Sequence, residues 1–238
     1  MNAQRIGELI NMPNITKNLI NGKSLYHYSN DIVWSCRHYA SLTKKEEHPY
    51  SIYIYNNSCV FMAGSFLEAK LNELTAQVFD NGPGNTDREC GILKIIHDER
   101  KSLSLKSKWN LISSTLGGQI WDSSKDPFQS FDLIISLRNE LVHYKPEYEE
   151  VSKPSVKKIN DLVACFKSKG FVSIIEPEKE YWVTTLLSSA ELSSWISSIV
   201  CEFDMKFDFF LTGKEFTKMD ETIYKVTQAS ANPWVSKI

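Results

Sequence analysis

The chain reads as an all-α protein, a multi-helix bundle, and three observations predict it. Apolar residues recur at three- and four-residue steps over long stretches. Pro49, Asn81-Gly82-Pro83-Gly84, Gly117-Gly118, Pro127, Pro146 and Gly213 punctuate those stretches. The connections between them are mostly short, as in a bundle of near-antiparallel neighbours. With 238 residues, 42% hydrophobic and 24% charged, the chain can bury a full core without metal or disulfide staples.

Residues 1–30, with Pro13, Asn14 and Asn21-Gly22, read as an irregular segment. A single helical domain is expected over 31–212 and a surface tail over 213–238. Asp31 to Thr43 is the first helix, capped by Asn30 or Asp31, with Val33, Trp34, Cys36, Tyr39 and Ala40 as its buried stripe. Pro49 to Phe79 is the longest: Val60, Phe61, Gly64, Leu67, Leu71, Leu74 and Val78 keep helical spacing. Ser51 to Tyr55 alternates and competes as a short strand, but lacks a nearby partner. Asp87 to Arg100 runs from acids to bases, a polarity that suits the helix dipole. Leu105 to Leu116 follows, closed by Gly117-Gly118, and then a polar loop to Asp126.

Pro127 opens a strong helix through Tyr144, lined by Phe128, Phe131, Leu133, Ile134, Leu137, Leu141 and Val142. Pro146 ends it, because the residue before a proline avoids the helical region. Ser155 to Ser168 reads as another helix. Val172–Ile175 and Tyr181–Thr185 are candidates for a minor two-strand element near 172–185. Ser189 is placed to cap a last helix with Trp195, Ile199, Phe203 and Phe207 on one face, ending before Gly213.

The net charge is −2, so no long-range field draws the protein to polyanions, and any RNA contact must come from a local patch. The five cysteines are scattered without CxxC spacing, which predicts reduced, buried thiols in a cytoplasmic protein. The N-terminus lacks a signal-peptide pattern, and no apolar run is long enough for a bilayer span. His27, His38, His48 and His97 show no paired-ligand spacing, and no GK[ST] follows Asn81-Gly-Pro-Gly. Neither a metal nor a cofactor is expected.

The chemistry is concentrated at the end of the helix from Pro127, in Arg138-Asn139-Glu140-Leu141-Val142-His143-Tyr144-Lys145-Pro146. RNA is cut without a metal when its own 2′-hydroxyl attacks the adjacent phosphate. That step needs a proton carrier active near neutral pH, which His143 supplies. It also needs a permanent cation against the charge that builds on the phosphate, and the Arg138 fork suits it. Asn139 either orients His143 or binds a phosphate oxygen. Asn139 and His143 share a helix face, and Arg138 lies about 140° around from His143 at 100° per residue. As bland alternatives, Arg138 and His143 merely bond carbonyls at a helix end.

This Arg-x4-His run, with the Asn after the Arg and the His-Tyr-Lys-Pro ending, resembles the HEPN superfamily of helical domains, many of them metal-independent endoribonucleases. The helix Phe66-Leu67-Glu68-Ala69-Lys70-Leu71-Asn72-Glu73-Leu74 is similar to the long helix packed beside the motif, and Lys106-Ser107-Lys108-Trp109 is similar too. The resemblance covers roughly Asp31 to Lys169. It implies a composite site at a homodimer interface, with Arg138, His143 and Asn139 catalytic. Glu68 and Asn72 would position Arg138, beside Tyr144, while Glu73 points to solvent. Arg100, Lys101, Lys106, Lys108 and Lys145 would hold RNA; Lys153, Lys157 and Lys158 form a second basic group. The implied setting is a toxin or phage-defence effector with an antitoxin or defence-system partner. The runner-up is a non-catalytic HEPN-like module that binds RNA or protein. Aromatic residues such as Phe203 and Phe207 are expected in the core or a dimer interface.

Overall fold

The computed structural model describes residues 19–20, 23–24, 27–80, 96, 98–99, 102–143, 157–169 and 186–213. The described residues are all-α apart from one small ladder. Its helices are α1 (Tyr28–Thr43), α2 (Pro49–Asp80), α3 (Leu105–Leu116), α4 (Phe128–Val142), α5 (Lys157–Ser168) and α6 (Leu192–Thr212). Two short strands, β1 (Leu19–Ile20) and β2 (Lys23–Ser24), pair antiparallel with Leu19 opposite Ser24. The irregular segment expected over residues 1–30 is therefore corrected at its end: it carries this ladder, and α1 already begins at Tyr28. The signal was legible, since the two residues between the strands are Asn21-Gly22, the pair most favoured for a two-residue hairpin. The second candidate strand pair, near 172–185, lies outside the described residues, as does most of the helix expected over Asp87 to Arg100.

α2 is the spine of the bundle. Its 32 residues extend about 48 Å at 1.5 Å per residue. Ile52, Asn56, Cys59, Val60, Ala63, Phe66, Leu67, Leu71 and Thr75 are buried along one stripe. The alternating stretch Ser51 to Tyr55 is helical: Ile52 turns inward while Tyr50 and Ile54 stay exposed. α1 and α6 pack along α2 and along each other, and α3 and α4 lean on α2 and α6.

The caps come from across the fold. The Ser29 amide and hydroxyl donate to the two Glu73 carboxylate oxygens at 2.7 and 2.6 Å, so an acid on α2 caps α1. Asn30 and Asp31 do not cap it, and Glu73 is largely buried rather than solvated. At α6 the Ser193 amide donates to Asn56 Oδ1 at 3.0 Å, the Ser193 hydroxyl bonds the same oxygen, and Asn56 Nδ2 donates to the Leu187 and Ser189 carbonyls at 2.6 and 2.7 Å. Ser189 contributes a longer bond, accepting the Glu191 amide at 3.3 Å. Every polar atom of the buried Asn56 amide is thereby engaged, which a polar group taken out of water requires.

The core centres on Trp109. Its ring meets Trp121, Phe128, Phe203 and Phe207 edge-on at centroid distances of 5.5 to 5.9 Å, a geometry worth about 0.5–1.5 kcal/mol per pair beyond area burial. Its indole N–H donates to the Gln119 carbonyl at 2.9 Å. The expected polar loop before α4 thus buries Trp121. Gly118 makes this corner possible: a Cβ there would fall 2.1 Å from the Leu211 carbonyl oxygen. The six helices of the described residues and their apolar faces agree with the all-α expectation. No helix of the described residues is long and apolar enough to cross a membrane.

The thiols Cys36, Cys59, Cys165 and Cys201 are free. Cys36 and Cys59 are buried against each other, and the neighbouring Cys59 thiol together with burial pushes the Cys36 thiol far up. Burial does not hold for all of them: Cys165 is exposed on α5.

Candidate functional site

α4 carries core residues for most of its length and changes character at its end. Phe128, Phe131, Leu133, Ile134 and Leu137 are buried. Arg138, Asn139 and Glu140 are then half-buried, and Val142 and His143 are exposed. His143 is the residue that terminates the helix, with φ −104° and ψ 25°, its amide donating to the Asn139 carbonyl at 3.0 Å. The helix therefore ends short of the Tyr144 expected from sequence. Tyr144 and Lys145 lie outside the described residues.

Arg138 leans on α2. A Cβ placed on Gly64 would lie 3.0 Å from Arg138 Cγ and 3.3 Å from its Cβ, so the side-chain stem fills the space that glycine leaves. The guanidinium donates through Nη1 to Asn139 Oδ1 at 3.0 Å. Its Nε is buried and has no hydrogen-bond partner. Leaving such a donor unsatisfied costs about 1–3 kcal/mol. Arg138 also has no carboxylate partner among the described residues. The result is a half-buried positive charge whose hydrogen bond among the described residues goes to a neutral amide.

Several expected supports fall elsewhere. Asn139 holds Arg138, not His143. Glu68 does not reach Arg138: it accepts from Lys108 Nζ at 3.1 Å. On α2, Arg138 lies instead against Gly64, one turn before Glu68. Asn72 is exposed, and its carbonyl receives the Thr75 hydroxyl at 2.9 Å. Sequence reasoning counted Gly64 only within the apolar stripe. The signal that singles it out is a glycine in mid-helix, which costs about 1 kcal/mol relative to alanine and so asks for a packing reason.

The basic patch is also corrected. Lys108 is only 2% exposed, its ammonium committed to Glu68, so it presents no charge to a ligand. Lys106 is exposed but bound, to Asp132 at 2.8 Å and Ser123 at 3.0 Å, with its ammonium 5.7 Å from the centre of the Trp121 ring. Lysines on one segment were read as one face, but α3 turns them to opposite sides. Arg100, Lys101 and Lys153 lie outside the described residues, and Lys157 and Lys158 open α5.

At the other end of α4, Asp126 accepts the Ser130 amide at 3.2 Å and its hydroxyl at 2.5 Å, and pairs with Lys169 at 2.7 Å. Burial opposes its charged form, but the Lys169 ammonium and the Ser130 bonds outweigh it and hold the carboxyl below the usual range. Among the described residues no three His, Cys, Asp or Glu side chains gather as a metal-binding group. No protein-family model, curated protein or solved structure matches the chain.

Proposed function

We propose that the chain is a HEPN-type endoribonuclease that cleaves RNA without a metal and works as a homodimer. One observation carries the reading. The guanidinium of Arg138 is half-buried and has no carboxylate partner among the described residues, at the same helix end where the His143 imidazole stands in solvent. A partly desolvated cation without a counter-charge is unfavourable until an anion reaches it, and a phosphodiester is such an anion.

The chemistry follows from the two groups. The 2′-oxygen forms a bond to phosphorus and the bond to the 5′-oxygen breaks, leaving a 2′,3′-cyclic phosphate and a 5′-hydroxyl. His143 takes the proton of the 2′-hydroxyl or delivers one to the leaving 5′-oxygen. Arg138 stabilises the charge on the non-bridging oxygens, and Asn139 fixes the guanidinium. One copy supplies one imidazole and one guanidinium; a second copy across a dimer interface would complete the pair. Lys106 and Lys108 are committed to carboxylates, so replacing either should change the salt dependence of RNA binding little. Toxin action, phage defence and an antitoxin partner belong to the same proposal.

The test is cleavage of mixed RNAs by purified protein in EDTA, beside Arg138→Ala and His143→Ala. The expected result is cyclic-phosphate product from the parent and a loss of at least about 100-fold in either variant. Equal, negligible cleavage by all three overturns the reading and leaves the non-catalytic module.

A further inference from the structure

We infer that Gly64 is a positioning residue: its missing Cβ is the seat that fixes where the Arg138 guanidinium stands. The contact is made by the stem, not by the flexible tip. The atoms nearest the absent Cβ are Arg138 Cγ, Cβ and Cδ at 3.0, 3.3 and 3.5 Å. Such a contact is not relieved by swinging the guanidinium alone. A methyl group on residue 64 requires the Arg138 stem, or the α2 backbone beside it, to give by a few tenths of an ångström.

The seat explains the rest of the geometry. With its stem pressed against α2, Arg138 directs Nη1 back to the Asn139 carbonyl oxygen of the side chain, at 3.0 Å, and buries Nε. A freely extended arginine would hydrate Nε instead. Glycine in the middle of a helix is a stability loss relative to alanine. Here that loss falls at a position where α2 makes room for the stem of the candidate phosphate-binding side chain. As a role in cleavage, this inference rests on the ribonuclease reading; as a statement about Arg138, it is testable without it.

The experiment compares the full-length protein with Gly64→Ala, Arg138→Ala and the double variant. Thermal unfolding gives a double-mutant cycle. In the Arg138→Ala background the alanine should raise Tm through helix propensity; with Arg138 present that gain should be smaller by roughly 2–4 °C or reversed. Modification of Arg138 by phenylglyoxal, followed by peptide mapping, should run several-fold faster in Gly64→Ala, because the displaced guanidinium is freed. Cleavage should lose on the order of tenfold or more in kcat/KM. Additive Tm changes with an unchanged labelling rate overturn the inference. If the parent protein cleaves no RNA, the ribonuclease reading fails, while the cycle and the labelling still decide whether Gly64 seats Arg138.

Discussion

Asn56 and Gly64 stand two turns apart on α2 and receive opposite kinds of polar contact. At Asn56 every donor and acceptor of a fully buried amide is matched, and the start of α6 is tied to the spine. At Gly64 the spine receives an arginine stem that, among the described residues, finds no acceptor for its Nε and no counter-ion for its charge. The first arrangement closes a fold. The second leaves part of its bonding capacity unspent at a half-exposed helix end, the condition expected of a group that acts on something outside the chain. Matched polar groups should therefore be costly to remove, and unmatched ones free to remove except in function.

The largest effect should come from Asn56→Leu. It strips partners from two carbonyls and from the Ser193 amide, and should cost about 3 kcal/mol, read as a lower urea midpoint at constant slope. A loss under about 0.5 kcal/mol would break the comparison. Asp126 is matched but half-exposed, so Asp126→Asn should cost less than about 1 kcal/mol after solvent screening. Its carboxyl is held low in the folded protein. The stabilisation is thus fully present above the unfolded-chain value of about 3.9 and disappears as pH falls through the folded value. Tm measured from pH 6 downward should fall less steeply in Asp126→Asn than in the parent. The smallest change in stability belongs to Arg138→Met, which keeps the stem and removes the orphaned donor. It should stay within about 0.5 kcal/mol of the parent, or exceed it, while cleavage disappears. A large loss of stability there would make Arg138 architectural.

Much of the helical frame was legible in sequence because it depends on local periodicity and on breakers. Leu105–Leu116 with its Gly117 stop matches its expected bounds, and Gly213 closes α6 with φ +68°. The motif helix was legible for the same reason. What sequence could not supply were contacts set by the third dimension. Ser29 is capped from 44 residues away and Ser193 from 137, distances over which no capping pattern is written. Lys106 and Lys108 are two residues apart, yet one is exposed and the other buried, since i and i+2 face different sides of a helix. Glu68 was expected to face Arg138 and faces α3 instead. Gly64, whose missing Cβ makes room for the arginine stem, carries no side chain to advertise itself.

The sequence distance between α1 and α6 has a consequence during synthesis. Arg37 on α1 donates to the Cys201 thiol 164 residues later, and α6 supplies Phe203, Phe207 and Phe210 around Trp109. At roughly 5–20 residues per second, the nascent chain waits on the order of 5–20 s with its tryptophan nest open before the closing helix is made. A message broken upstream of Leu192 would yield a polypeptide with half its aromatic pocket facing water, a natural client for chaperones and proteases.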